Sequence, residues 1–200
     1  MSKIAANVFK YRSYTPIPFV ILMVIFQQAT PLTMVCGFFV ILLGEFVRIS
    51  GVSYAGSETR TTGTVGGSFL VVSGGFAYVR NPLYLGNILI YLGVGIMSWA
   101  LFPYLQIVAL IFFYIQYKLI IDEEEGYLSK TYGEQYSNYL KNVPRLFPRV
   151  TPYKNPGIEQ PKKDIGAALK SERRTLQAIT AVILILLVVY FVNNWSNIFE

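Results

Sequence analysis

The sequence predicts an all-α integral membrane protein, built as a bundle of about five transmembrane helices. Hydrophobic residues make up 54% of its 200 residues, above the roughly 45–50% that is usual in soluble domains. Three long stretches carry no charged side chain: 13–44, 81–117 and 175–199. A helix that crosses about 30 Å of hydrocarbon needs roughly 20 apolar residues. The first two stretches can therefore hold a helical hairpin each, and the third a single helix.

Prolines and an interfacial tryptophan divide the two longer stretches. Pro31 marks a turn in the first stretch, and Trp99 with Pro103 marks one in the second. Because the first stretch is tight for two spans, its second helix is expected to continue past Glu45. The predicted spans are 14–29, 32–53, 83–99, 102–121 and 175–193.

The basic residues collect on one side of this bundle. All 17 lysines and arginines lie in the N-terminal segment, in the loops after the second and fourth spans, or at the span ends beside those loops. By the positive-inside rule, the N-terminus and both long loops are cytoplasmic and the C-terminus lies on the opposite side. The N-terminal segment is typical of a signal anchor. The net charge of +6 is expected to serve contacts with membrane lipids, so it requires no nucleic-acid partner.

The residue inventory restricts the possible chemistry. Histidine is absent, and the only cysteine, Cys36, lies inside a predicted span. The chain therefore has no intrachain disulfide, no histidine base and no cysteine or histidine metal site, and we expect no metal cofactor. Any catalysis must use carboxylates, basic side chains, tyrosines and backbone groups.

Two segments outside the spans have patterns of packed structure. The loop from Tyr54 to Arg80 is too long for a simple connector, and its apolar FLVV and FAYV pieces indicate packing, although a lengthy surface loop is the alternative. The second segment is predicted to be an amphipathic cytoplasmic helix with Leu128, Tyr132, Tyr136, Tyr139 and Leu140 on one face. VPRLFP, 143–148, ends this helix, and a proline-punctuated linker with a short charged helix at 162–174 then leads into the last span.

Polar residues at the span ends are the candidates for function. Four adjacent carboxylates at 122–125 repel one another, so a bound cation, a cationic ligand or nearby arginines should compensate them, unless they form a solvated acidic cap. Glu45 and Arg48, one turn apart, predict an ion pair at the membrane boundary. Asn81 is expected to cap the third span. Close packing of that span is expected from its small residues Gly86, Gly93 and Gly95.

Three motifs occur in order along the chain: LVxxGxFxxVRNPLYLG from Leu70 to Gly86, EExxLxxxYGxxYxxY from Glu124 to Tyr139, and VPRLFP. Together with GExxR at 44–48, they resemble the isoprenylcysteine carboxyl methyltransferase and phospholipid methyltransferase superfamily. The resemblance implies a helix bundle whose cytoplasmic ends enclose S-adenosyl-L-methionine, without a Rossmann domain. By motif position, the cofactor-binding residues would be Leu70, Val71, Phe76, Asn81, Pro82, Leu83, Tyr84, Glu124 and Glu125.

The same resemblance suggests individual roles. Arg80 would orient cofactor or substrate, Glu124 or Glu125 would hold the ribose or amino-acid end of the cofactor, and Arg80 and Glu125 are the candidate catalytic residues. RNP stands at 80–82 where the family usually has RHP, and Phe76 replaces a tyrosine. We expect a single membrane domain over 1–200. Within it lie a methyltransferase-like catalytic region at 44–148, a cytoplasmic linker and short helix at 149–174, and an additional C-terminal transmembrane helix at 175–193.

The function predicted from the resemblance is methyl transfer from S-adenosyl-L-methionine to a lipophilic acceptor reached from the bilayer. The acceptor is either a prenylcysteine-type carboxylate, which needs no base, or an aminophospholipid, whose proton an acidic residue would remove. One alternative is a sterol-reductase-like oxidoreductase that uses NADPH, although the phosphates of that cofactor call for more basic contacts than four carboxylates suggest. The other is a non-catalytic membrane scaffold or transport component.

Overall fold

Six α-helices make up the described part of the chain. The computed structural model describes residues 3–56, 70–154 and 157–195, so residues 57–69 of the predicted loop lie outside it. The helices are α1 (Lys3–Tyr11), α2 (Ile17–Ile25), α3 (Pro31–Ala55), α4 (Pro82–Ser98), α5 (Tyr104–Asn142) and α6 (Ile165–Asn193). A 3₁₀ turn at Gly74–Ala77 precedes α4. No strand occurs in these residues, which confirms the all-α prediction.

Three of the described helices, α3, α5 and α6, are long and apolar enough to cross a membrane, and α4 is a shorter apolar helix of 17 residues. Their outer surfaces carry large apolar side chains that water would not solvate well. Exposed examples are Leu32, Phe39, Phe46, Ile107, Ile111, Ile115, Val188 and Val192. The predicted break between the third and fourth spans is confirmed, since α4 ends at Ser98 and α5 begins at Tyr104.

The first predicted span, 14–29, differs from the structure. Its helix, α2, has nine residues and rises only about 14 Å, less than half the thickness of the hydrocarbon layer. The chain then leaves the helical conformation because polar groups of Gln27 and Gln28 bond to other helices. The Gln28 N–H donates to the Ser98 carbonyl at 2.9 Å, and the Gln27 side chain donates to the Leu186 carbonyl at 3.0 Å. These bonds attach the end of α2 to the end of α4 and to α6.

Two helices run beyond their predicted spans because no proline interrupts them. α5 continues from the fourth span through the predicted amphipathic helix, with one non-helical residue at Gly133 (φ 51°, ψ −120°). α6 joins the short charged helix to the last span. It begins where the Asp164 carboxylate accepts a hydrogen bond from the Ala167 N–H at 2.8 Å, a standard N-terminal cap.

α3 and α4 approach each other so closely that their backbones touch. A β-carbon added at Gly37 would lie 2.5 Å from the Gly93 carbonyl oxygen, and one added at Gly86 would lie 2.6 Å from the Gly44 carbonyl oxygen. Only glycine allows this approach. The packing prediction is therefore confirmed for Gly86 and Gly93, whereas Gly95 faces side chains of α2 and α5. We call this contact the glycine seam.

Candidate active site

A cavity of about 920 Å³ lies among the helices, within the roughly 300–1,000 Å³ typical of small-molecule sites. All six helices contribute to its lining, including the C-terminal helix α6. Its polar end is lined by Arg80, Asn81, Tyr84, Glu124 and Glu125. Its apolar end is lined by Val20, Met23, Val94, Ile179 and Val182. One cavity thus joins a charged compartment to a hydrophobic one.

All ten residues that the family resemblance assigns to the site line this cavity. They are Leu70, Val71, Phe76, Arg80, Asn81, Pro82, Leu83, Tyr84, Glu124 and Glu125. They come from three places in the chain: the segment before α4, the first turn of α4, and the part of α5 just beyond the fourth span. The fold brings them together although up to 55 residues separate them in sequence. Their individual roles remain predictions.

The two candidate catalytic residues are bound to each other. Arg80 Nε donates to Glu125 Oε1 at 2.9 Å, and Arg80 Nη1 donates to the carbonyls of Leu140 and Val143 at 3.0 and 2.6 Å. Glu125 also accepts a hydrogen bond from Arg145. Arg80 therefore fastens the start of α4 to the end of α5, and the Glu125 carboxylate is already held by two guanidinium groups.

Nearby basic residues compensate part of the acidic run. Asp122 accepts hydrogen bonds of 2.7 Å from Lys118 and from Arg145. These contacts lower the pKa of its carboxyl, the Lys118 hydrogen bond being the largest cause. Glu125 is buried between Arg80 and Arg145, so it is not a solvated cap. Of the compensations proposed from sequence, arginine pairing accounts for Glu125 and contributes at Asp122.

Glu124 is held differently. Its Oε1 accepts a hydrogen bond of 2.7 Å from the Tyr84 hydroxyl, and the Tyr84 ring packs on Tyr117 with the ring centroids 4.8 Å apart. Burial raises the pKa of the Glu124 carboxyl to about 7, although the Tyr84 hydrogen bond and the charge of Arg12 oppose this rise. The carboxyl therefore changes its charge near neutral pH while it faces the cavity.

Asn81 occupies the N-cap position immediately before α4, but its side chain makes no capping hydrogen bond. The prediction of a side-chain cap was wrong, because Asn81 Nδ2 donates instead to the Arg145 carbonyl at 3.2 Å. Similarly, the Tyr139 hydroxyl donates to the Phe76 carbonyl at 2.7 Å. The Asn81 side chain and the Phe76 backbone are thus both held by hydrogen bonds, one to the segment after α5 and the other to the end of α5.

The linker after α5 holds the segment before α4 in place, although none of its described residues lines the cavity. Gln160 Oε1 accepts from the Val72 N–H at 2.8 Å, and Gln160 Nε2 donates to the Leu70 carbonyl at 3.0 Å. The Tyr153 N–H donates to the Ala77 carbonyl at 2.8 Å. Leu70 and Val72 are buried against this segment and the aromatic face of α5. Packing of the apolar loop pieces is thus confirmed for the described part of that loop.

A second polar cluster lines the cavity around Arg48. Arg48 Nη2 donates to Glu172 Oε2 of α6 at 2.6 Å, and Arg48 Nη1 donates to Asn87 of α4. Arg48 Nε lies 3.7 Å from Glu45 Oε2. Glu172 is 0% exposed and Arg48 7%. The Glu45–Arg48 ion pair exists, but Arg48 is buried and its shortest ion pair is with α6.

Sequence reasoning missed the contributions of α1 and α6 to the cavity. The missed polar residues include Arg12, which follows α1, and Glu172 and Arg174 of α6, together with Asn87 and Tyr91 of α4 and Tyr117 of α5. One available signal was Glu172, a lone carboxylate between Lys170 and Arg173 at the edge of an uncharged span. An acidic residue there opposes the basic pattern of that boundary and indicates a buried partner.

These features define a multi-pass membrane protein with an internal cavity that is charged at one end and apolar at the other. The family model for phospholipid methyltransferases matches residues 32–135, more than half of the chain. The chain therefore belongs to the phospholipid methyltransferase family.

Curated relatives match part of the chain. The protein-S-isoprenylcysteine O-methyltransferase of Schizosaccharomyces pombe is 30% identical over 114 residues, which cover 54% of this chain and 46% of that protein. The cobalt-zinc-cadmium resistance protein of Cupriavidus metallidurans is 28% identical over 125 residues, 62% of this chain and 53% of that protein. The nickel-cobalt-cadmium resistance protein of Alcaligenes xylosoxydans xylosoxydans is 28% identical over 86 residues, 43% and 39% respectively. The chain thus spans about half the length of these relatives, or less.

Proposed function

We propose that the protein is a membrane methyltransferase that transfers a methyl group from S-adenosyl-L-methionine to a lipophilic acceptor. The observation that carries this proposal is the arrangement of the ten motif residues along one cavity that also has an apolar end. Membership of the phospholipid methyltransferase family supports the reaction class. The similarity to an isoprenylcysteine methyltransferase supports a lipid-modified or lipid acceptor.

The residues of the polar end fit the chemistry of this cofactor. Leu70, Val71 and Phe76 offer apolar surface for an adenine ring, and Glu124 offers a carboxylate for positively charged groups. Bound there, S-adenosyl-L-methionine would supply a methyl group on a sulfonium, a strongly activated donor. The absence of histidine is compatible with such a reaction, since the enzyme mainly has to align the reacting groups and exclude water.

The protein side chains then have defined tasks. The Tyr84 hydroxyl orients Glu124, whose negative charge attracts a cation in the low-dielectric cavity. The ion pair of Arg80 with Glu125 braces α4 against α5, which keeps the walls of the polar end at a fixed separation. Arg80 and Glu125 thereby act as positioning residues in this proposal.

The acceptor would occupy the apolar end, between α2 and α6. Val20 of α2 faces the cavity there together with Ile179 and Val182 of α6. An aliphatic chain can lie along these side chains with its polar group toward Tyr84 and the cofactor. A carboxylate acceptor requires no base, whereas an amine acceptor would lose a proton, for which Glu124 is the candidate base. By the positive-inside prediction, the polar end faces the cytoplasm.

Calorimetric titration of the purified, detergent-solubilised protein tests the proposal. S-adenosyl-L-homocysteine is expected to bind and NADPH is not. The Glu124→Gln variant should bind S-adenosyl-L-homocysteine about tenfold more weakly, because a charge-assisted contact is lost. Glu134→Gln is the matched control, since Glu134 is exposed on the same helix. No heat with S-adenosyl-L-homocysteine at high concentration would exclude the proposed donor.

A further inference from the structure

We propose that Arg12 and Glu124 together bind the α-amino-acid end of the cofactor, Arg12 its carboxylate and Glu124 its ammonium. The inference rests on the proposed function and extends it to a residue that no motif contains. Arg12 precedes the family-matched region, 32–135, yet it lines the same cavity as Glu124. The ligand chemistry is that of a zwitterion whose ammonium and carboxylate groups are attached to the same carbon atom.

Arg12 is anchored in a way that leaves most of its donors available. Its Nη1 donates to the Phe9 carbonyl at 2.6 Å, and the guanidinium carbon lies 3.7 Å from the centroid of the Phe9 ring. This cation–π contact fixes the guanidinium plane. A guanidinium has five N–H donors, and within the described residues Arg12 makes no side-chain hydrogen bond besides the one to Phe9. The remaining donors can therefore bind a ligand anion.

Glu124 presents the complementary charge. Its Oε1 is held by Tyr84, and its Oε2 accepts no hydrogen bond from the described part of the chain. Arg12 is close enough for its charge to act on the Glu124 carboxyl. However, Arg12 and Glu124 form no direct ion pair with each other. A positive and a negative group thus face one cavity across a gap, an arrangement that suits an ammonium and a carboxylate bound between them.

Ligand-side experiments test the assignment on the unmodified protein. Three ligands share the adenosine thioether: S-adenosyl-L-homocysteine, its decarboxylated form, and 5′-methylthioadenosine, which has no amino-acid end. Loss of the carboxylate should weaken binding by about ten- to hundredfold, the usual cost of losing a hydrogen-bonded charged partner. Equal affinity for all three ligands would overturn the assignment while leaving cofactor binding, and hence the proposed function, intact. Failure of all three to bind would instead overturn the proposed function.

Variants then locate the carboxylate contact at Arg12. Arg12→Gln should weaken binding of S-adenosyl-L-homocysteine to the level of the decarboxylated ligand, while leaving 5′-methylthioadenosine within about twofold of the wild-type value. Arg12→Lys should restore part of the loss because it keeps the charge. Lys10→Gln removes a neighbouring charge on α1 that does not line the cavity and should have no effect. The assignment fails if Arg12→Gln weakens all three ligands equally.

The other source of such a zwitterion is the acceptor, whose headgroup could pair a phosphate with an ammonium. Competition separates the two sources. Detergent micelles doped with phosphatidylethanolamine should leave the affinity for 5′-methylthioadenosine and for S-adenosyl-L-homocysteine unchanged if the gap belongs to the cofactor. If the lipid competes with S-adenosyl-L-homocysteine in the wild type but not in Arg12→Gln, the gap belongs to the acceptor and the assignment is wrong.

Discussion

Binding of S-adenosyl-L-homocysteine is expected to strengthen as the pH rises through 7. The group responsible is Glu124, whose carboxyl has a pKa raised to about 7, chiefly by burial. Below that pH the carboxyl is protonated and neutral, and above it the carboxylate can attract the ligand ammonium. The chain contains no histidine, so no side chain with an ordinary pKa titrates in this range. The α-amino group is the other group whose ordinary pKa lies nearby.

The size of the effect follows from the ionised fraction of Glu124. With a pKa of about 7, roughly three quarters of the carboxyls are ionised at pH 7.5 and roughly one tenth at pH 6. If the neutral form binds about tenfold more weakly, as expected for Glu124→Gln, the apparent dissociation constant is about fourfold higher at pH 6 than at pH 7.5. A bound ammonium also favours the ionised form, so binding should release a fraction of a proton near pH 7.

Calorimetry in two buffers of different ionisation enthalpy measures both quantities. The affinity gives the pH profile, and the buffer dependence of the heat gives the number of protons released. Glu124→Gln removes the titrating group, so its binding should be weak and independent of pH over the same range. A flat profile for the wild-type protein, or tighter binding at pH 6 than at pH 7.5, would refute the role of the Glu124 carboxylate.

Two further predictions concern packing. Glu172→Gln leaves Arg48 without its 2.6 Å buried ion-pair partner and should cost about 3–5 kcal/mol of stability, which would lower Tm in detergent. Glu134→Gln at an exposed position should leave Tm unchanged. Equal Tm values for both variants would show that the pair is not stabilising. Gly93→Ala should sharply reduce the yield of folded protein, because its β-carbon would lie 2.8 Å from a backbone oxygen of α3. Gly126→Ala should be tolerated, because a β-carbon there meets nothing within 4 Å. Normal folding of Gly93→Ala would contradict the close approach of α3 and α4.

The sequence predicted the helical architecture well where hydrophobic length alone decides it. The uncharged stretches located α3, α4, α5 and α6, and Trp99 with Pro103 located the turn between two of them. The nine-residue length of α2 could not be read from composition. Residues 26–30 are as uncharged as the helix before them, and they leave the helix because their polar groups bond to Ser98 and Leu186, which are distant in sequence.

The cavity was predicted only in part, and the reason is similar. Ordered motifs identified the residues of the polar end because those residues sit in short segments with characteristic spacing. Arg12 directly follows α1 and Glu172 lies in α6, both outside any motif, and only the packing of those helices against α3, α4 and α5 brings them to the cavity. The hydrogen bonds of Gln160 to Leu70 and Val72 are equally long-range, so the proline-punctuated linker itself did not indicate that it holds the segment before α4.

The glycine seam has a consequence for how ligands reach the cavity. The backbones of α3 and α4 contact each other at Gly37, Gly44, Gly86 and Gly93. These helices cannot slide or separate without losing contacts along their whole length, so we expect them to move together as one rigid unit. Motions that admit a lipid tail to the cavity must then come from the elements around that unit. The short α2 is attached to its neighbours by the bonds of Gln27 to the Leu186 carbonyl and of Gln28 to the Ser98 carbonyl, and we expect it to move outward more readily than α3 or α4.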